Sequence, residues 1–177
     1  MIWTALGTFP EPLNESDTRA KLLDPAIHSC GWTEDLIKRE ETAGAIEMVE
    51  GRPRRRSRGR IDYTLRVKVN TGTQPVAMAI IEAKAENLPP NHGLEQAKLY
   101  SACRRLNVPF VFSSNGHQFV EFDRFTGLTS SPLAMQEFPS PSDLRARYEF
   151  HIDLNQNSHP TTLTNMEKAL YKRGVPR

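Results

Sequence analysis

Hydrophobic and polar positions alternate most regularly over residues 60–69. Ile61, Tyr63, Leu65, Val67 and Val69 interleave with Arg60, Asp62, Thr64, Arg66 and Lys68. That period of two predicts a strand with one buried face. Residues 70–74 are turn-rich, and 75–84 contain the continuous apolar run from Val76 to Ile81, which predicts a second, more fully buried strand. Upstream, Asn14 or Ser16 can cap a helix over 15–24 that carries Ala20, Leu22 and Leu23. Pro25 then breaks or kinks it, or starts a second turn, and the chain reaches a stop at Gly31. Residues 45–49 predict another strand. Downstream, Pro89-Pro90-Asn91 opens a helix over about 92–106, with Leu99, Ala102, Cys103 and Leu106 as its expected core stripe. Segments 108–114 and 117–123 flank Asn115-Gly116, the strongest short hairpin signal. Ser140-Pro141-Ser142-Asp143 opens a helix to about Phe150, 153–163 reads as a linker, and 165–172 as a last helix.

The order α-β-β-β-α-β-β-α predicts a mixed α/β domain, a central sheet flanked by helices. The expected organisation is an arm at 1–12, one domain at 13–150 and a linker with a helix at 151–177. Trp32 and the pair Phe110 and Phe112 are assigned to packing.

Composition narrows the class. The chain has 177 residues, 38% of them hydrophobic and 25% charged, too apolar for disorder and too polar for a membrane protein. Its longest apolar run, Val76 to Ile81, is far below the roughly 18 residues a spanning helix needs. The first ten residues lack a basic leader and an apolar core, so no signal peptide is expected. Two distant cysteines and five histidines form no ligand pattern. A cytoplasmic protein without a membrane partner is the expectation. A net charge of +2 leaves nucleic acid binding to local clustering. Such a cluster exists: residues 51–60 hold six arginines and no aliphatic or aromatic side chain, which predicts an exposed loop. Arg54, Arg55, Arg56, Arg58 and Arg60 would neutralise DNA phosphates there, giving affinity without sequence reading, unless they merely solvate the loop.

The two long strands carry the candidate chemistry. In an unbulged hairpin centred on Gly72, Asp62 opposes Glu82, each ten residues from the centre, and Lys84 follows on the Glu82 face. Opposed carboxylates repel unless a cation lies between them, and Mg²⁺ is often held by one or two carboxylates plus phosphate. A nearby lysine can stabilise phosphate charge or help deprotonate an attacking water. The plainer reading is the solvated face of a half-covered sheet. Against it, Glu82 follows six apolar residues, where an unused charge is costly. On the next helix Gln96 and Tyr100 stand at i and i+4, off the Leu99 stripe.

Asp62, Glu82-Ala83-Lys84 and Gln96-Ala97-Lys98-Leu99-Tyr100 together resemble the PD-(D/E)xK nucleases with a QxxxY helix. Further blocks lie in order along the chain: Asn14 to Ile27, Gly31-Trp32, Ile61-Asp62-Tyr63, Val108 to Gly116 and Phe138 to Pro141. With these the chain resembles the N-terminal domain of type I restriction enzyme R subunits over about residues 13–150. The resemblance implies a restriction-endonuclease-like core, Mg²⁺-dependent cleavage of double-stranded DNA, and assembly with methylation and specificity subunits. It implies that Asp62 and Glu82 bind metal, that Lys84 acts at the scissile phosphate, and that Gln96 and Tyr100 support the site. An accessory acid on the first helix is common in such sites. Glu15 and Asp17 are candidates, although helix capping would also use them, and Glu40 is a third. No proline precedes Asp62, and Ser113-Ser114 stands where a threonine usually precedes Asn-Gly. R subunits continue into a helicase-like ATPase. No G-x-x-x-x-G-K-[ST] occurs here, so ATP would act only through a motor absent from this chain, which is expected to be a fragment or a truncated gene product. The rival expectation is a catalytically silent DNA-binding or subunit-docking module on the same fold.

Overall fold

The computed structural model describes residues 10–42, 46–49, 52–55, 59–68, 74–103 and 105–157. Most of the arm at 1–12, the Gly72 turn and the tail beyond Asn157, including the expected helix at 165–172, lie outside them.

The N-terminal helix is built in three pieces, α1 (Glu15–Thr18), a π-helical turn (Arg19–Leu23) and α2 (Asp24–Ser29). Asn14 caps it, its side chain accepting from the Asp17 N–H. Pro25 does not break it. Proline has no N–H to return to the preceding turn, and the turn before it is widened, with the Asp24 N–H donating to the Arg19 carbonyl. Gly31, at φ +91°, ends the helix in the left-handed region.

A sheet follows with order β1-β4-β5-β6-β7-β8, and β9 pairs with β7 along the same edge as β8. Its strands are β1 (Ile37–Thr42), β4 (Arg60–Val67), β5 (Val76–Ala83), β6 (Phe110–Ser114), β7 (Gln118–Asp123), β8 (Leu128–Thr129) and β9 (Leu133–Ala134). A separate hairpin pairs β2 (Ile46–Val49) with β3 (Arg52–Arg55). All neighbours are antiparallel except β5 and β6, which are parallel and joined across α3 (Leu94–Ser101). The long α4 (Pro141–Asn157) closes the described chain.

Two cores lie on the two faces of the sheet. One packs Leu23, Ile27 and Trp32 from the N-terminal segment and Leu144 from α4 over Tyr63, Leu65, Ile81, Phe110 and Phe112. The other packs Leu94 and Ala97 of α3 over Ile61, Ile80, Val111 and Val120. The mixed α/β expectation holds, and Trp32, Phe110 and Phe112 are buried packing residues.

Several local expectations are corrected. The strand at 60–69 is not half-buried: Ile61 to Leu65 are all buried, because β4 is an interior strand covered on both faces. β1 has no apolar pattern beyond Ile37, since its edge position requires little apolar surface. The arginine segment is not all loop, because Arg52–Arg55 pair with β2. α3 turns Leu94, Ala97 and Ser101 to the sheet, whereas Leu99 is 73% exposed and Ala102 lies beyond the helix end. Small Ala97 and Ser101 let the helix approach the sheet more closely than a leucine stripe would. The last helix continues past Phe150 into the expected linker as far as Asn157, and the rest of that linker lies outside the described residues.

Candidate active site

β4 and β5 hold the expected register where it matters. Leu65 pairs with Ala79, Thr64 with Ile80 and Tyr63 with Ile81, the alignment that sets Asp62 towards Glu82. The hairpin is not unbulged as expected: on the turn side Arg66 pairs with Ala77 and Val67 with Val76, one residue off a Gly72-centred count, and the register shift at Leu65/Arg66 brings the site end into the Gly72-centred alignment. Beyond Tyr63–Ile81 a side chain takes over the ladder: the Ala83 N–H donates to Asp62 Oδ2 at 2.8 Å. Arg19, at the start of the π-helical turn, donates through Nη1 to Asp62 Oδ1 at 3.1 Å.

Glu82 is buried beneath the start of α3. Lys84 Nζ lies 2.8 Å from its Oε1 and 3.5 Å from Glu15 Oε2. The second oxygen, Glu82 Oε2, is buried without a hydrogen-bond partner. Gly93 makes this packing possible, since a Cβ there would stand 2.6 Å from Glu82 Cγ and 2.9 Å from Lys84 Cε. The Gly93 N–H donates to Ser113 Oγ at 3.1 Å, fixing the helix entry against β6.

Burial dominates the electrostatics. It pushes the Asp62 carboxyl above its ordinary value, although the Ala83 N–H and the Arg19 charge hold it back. Glu82 is pushed up to about 7, burial outweighing its hydrogen bond from Lys84, with the Asp62 charge adding to the rise. For Lys84 burial pulls the ammonium down, but the bond and charge of Glu82 more than offset this and leave it raised. The Asp62, Glu82 and Lys84 charges therefore sense one another within one cluster.

Of the candidate accessory acids, Glu15 reaches the cluster through Lys84. Glu40 reaches it through Arg19 (3.5 Å) and also pairs with Arg60 (2.9 Å). Asp17 does not; its carboxylate pairs with Lys21 at the surface. Gln96 donates to Tyr100 Oη at 3.0 Å, and among the described residues that bond does not run to either carboxylate. The Tyr100 ring instead closes on Gly59, where a Cβ would stand 2.2 Å from Cε1. Arg56 and Arg58 lie outside the described residues, as do the side chains of Arg54 and Arg55. Sequence reasoning missed Arg19, Gly93 and Ser113. Arg19 sits inside a helix whose other charges are surface ones, and a glycine before a helix reads as an ordinary cap.

The donor set suits a hard cation: two acidic side chains at one sheet end, one with an unpartnered buried oxygen. Among the described residues no three His, Cys, Asp or Glu side chains form a metal cage. A cation here would complete its shell with water or phosphate oxygens, which is the habit of Mg²⁺.

No family model matches the chain. A search of solved structures finds this mixed α/β fold in a fragment assigned to an HsdR subunit of a type I restriction enzyme from Vibrio vulnificus YJ016. The two share a TM-score of 0.62 and 31% identity, covering 80% of this chain and 26% of that one. The domain is thus of the class found in restriction-enzyme subunits. More particularly, the chain is 31% identical over 143 residues to the type I restriction enzyme EcoAI endonuclease subunit of Escherichia coli, and it belongs with the type I endonuclease (HsdR) subunits. That match covers 77% of this chain but only 17% of the Escherichia coli subunit. Among the described residues no helix is long and apolar enough to cross a membrane.

Proposed function

We propose that this chain is the Mg²⁺-dependent DNA-cleaving domain of a type I restriction enzyme endonuclease subunit. One observation carries the reading: buried Asp62 and Glu82 and half-buried Lys84 form a single cluster in which one carboxylate oxygen lacks a hydrogen-bond partner. Kinship with endonuclease subunits supports it.

Asp62 and Glu82 would hold the ion. When bound, Mg²⁺ supplies Lewis acidity that withdraws charge from the scissile phosphate. Lys84 is largely shielded from solvent and retains its proton, so its ammonium offsets the charge that develops on the phosphate oxygens. Glu15 restrains Lys84 from the far side, and Gly93 sets the depth of Glu82. Gln96 and Tyr100 brace the helix that roofs the site. Double-stranded DNA is the substrate, with Arg54, Arg55, Arg56, Arg58 and Arg60 contributing phosphate contacts. Choice of DNA site, and ATP use, fall to methylation and specificity subunits and to a motor domain outside this sequence.

The test is nicking of supercoiled plasmid with Mg²⁺ and with EDTA. Cleavage dependent on Mg²⁺ and abolished by Asp62→Asn is expected. A second reading, a silent DNA-binding module, draws on the cations that already neutralise both carboxylates, Arg19 on Asp62 and Lys84 on Glu82. It predicts binding in EDTA without nicking under any metal.

A further inference from the structure

Two consecutive glutamates of β1 serve two different neighbourhoods. Glu40, in the left-handed region at φ +55°, turns to Arg19 and Arg60 beside the carboxylate cluster. Glu41 is buried and meets Arg66 Nη2 at 3.0 Å, Arg105 Nη2 at 3.3 Å and Lys38 Nζ at 3.4 Å. These four side chains line a cavity of about 410 Å³, walled elsewhere by Val76 and Leu106.

One buried carboxylate needs about one cation to offset its burial. Here three surround one, a surplus of two positive charges in a concave, partly apolar setting. Lys38 and Arg105 remain half open to solvent, at 52% and 55% exposure. Arg66 keeps a buried Nε with no hydrogen-bond partner. The arrangement is incomplete as an ion-pair hub and well matched to an incoming anion with several oxygens, which arginine forks bind in bidentate fashion.

We propose that this cavity is a second phosphate anchor for duplex DNA, separate from the Asp62–Glu82–Lys84 centre. The proposal rests on the DNA-cleaving reading. Arg66 and Asp62 lie on one strand, four residues apart, a span of about 13 Å at ~3.3 Å per residue. Phosphates recur every ~3.4 Å along the axis of each DNA strand, so a duplex with one phosphate at Asp62 carries others at the cavity's distance. The anchor would fix the register of the duplex across the site and read no sequence.

The test measures binding of a labelled duplex by anisotropy across a salt series, without Mg²⁺, for wild type and Lys38→Ala/Arg105→Ala. Both side chains are half-exposed and Arg66 stays with Glu41, so the fold should survive; a thermal melt checks this. Expected are a several-fold weaker affinity and a slope of log K against log salt smaller by about one for each phosphate no longer neutralised. Glu41→Gln should act in the opposite direction and tighten binding in any variant that remains folded. Unchanged affinity and slope in the double variant, with wild type binding normally, would overturn the anchor and leave the DNA reading standing. No binding by wild type would sink both. If inorganic phosphate raises the melting temperature of wild type but not of the double variant, while duplex binding is identical in the two, the cavity is a small-anion pocket and the duplex anchor is wrong.

Discussion

Arg19 donates to Asp62 across 43 residues of sequence, its Nη1 3.1 Å from Oδ1. The guanidinium thus takes one of the two oxygens that a cation at this site would use, while the Ala83 N–H takes the other. Arg19 also reaches Glu40 at 3.5 Å, a second carboxylate to which it can swing. Arg19→Ala should therefore expose Asp62 Oδ1 and strengthen binding of Ca²⁺ or Mn²⁺ several-fold, as read by titration calorimetry. Unchanged affinity would mean that the Arg19 contact does not compete with the ion.

The raised pKa of Glu82 would make metal binding at the proposed site depend on pH. Its folded value, about 7, lies above the ordinary 4.5, so the folded chain holds a proton that the unfolded chain has lost between those limits. Stability from this group is fully present below about pH 4.5 and is lost as pH rises towards 7, by on the order of 1–3 kcal/mol. A cation must displace that proton. Metal affinity should rise about tenfold per pH unit up to about 7 and then level off. Calorimetry from pH 5.5 to 8.5, in buffers of different ionisation enthalpy, measures both affinity and proton release. A flat profile would show Glu82 already ionised or not a ligand.

Which parts of this were legible in sequence follows from the range of the forces involved. Periodicity and the apolar run locate β4 and β5, whereas counting from Gly72 aligns Asp62 with Glu82 only because the bulge at Leu65/Arg66 shifts the turn-side pairing by one residue, a feature the sequence pattern does not signal. Lys84 came with them at a spacing of two. Hidden were contacts set by tertiary packing. Arg19 reaches its partner only because the π-helical turn lies over the start of β4. The α3 stripe differs from the sequence expectation because closeness to the sheet selects Ala97 and Ser101, while apolar Leu99 faces solvent. β1 escaped detection because an edge strand needs little apolar surface.

Gln96 tests whether the α3 pair serves the site or the fold. Its side chain is exposed and bonds Tyr100 Oη, whose ring packs on Gly59 three residues before Asp62. Gln96→Ala should lower DNA cleavage at least tenfold while moving the melting temperature by no more than a few degrees. Gly59→Ala should do the same by displacing the Tyr100 ring. A large loss of stability with cleavage retained would assign the pair to packing.

Gly93 offers the sharpest separation of site geometry from fold. Its backbone, at φ −91° and ψ −2°, is open to any residue, so alanine brings no conformational strain. What it brings is a methyl group 2.6 Å from Glu82 Cγ, 2.9 Å from Lys84 Cε and 3.0 Å from Ser113 Oγ. Either α3 lifts or the Glu82–Lys84 pair shifts. Lifting α3 would uncover Leu94 and Ala97 and cost a substantial fraction of the stability. Moving two side chains costs less, so the side chains should give way. A displacement of about an ångström at such a centre is worth on the order of 100-fold in rate. Gly93→Ala should therefore lose DNA cleavage by about that factor, weaken Mn²⁺ binding, and keep duplex binding in EDTA and most of its thermal stability. Parallel nicking, calorimetric and melting measurements on the variant check this. Wild-type cleavage together with wild-type melting would mean that Glu82 and Lys84 do not pack against Gly93 in the working protein, and would remove the roof of the proposed site.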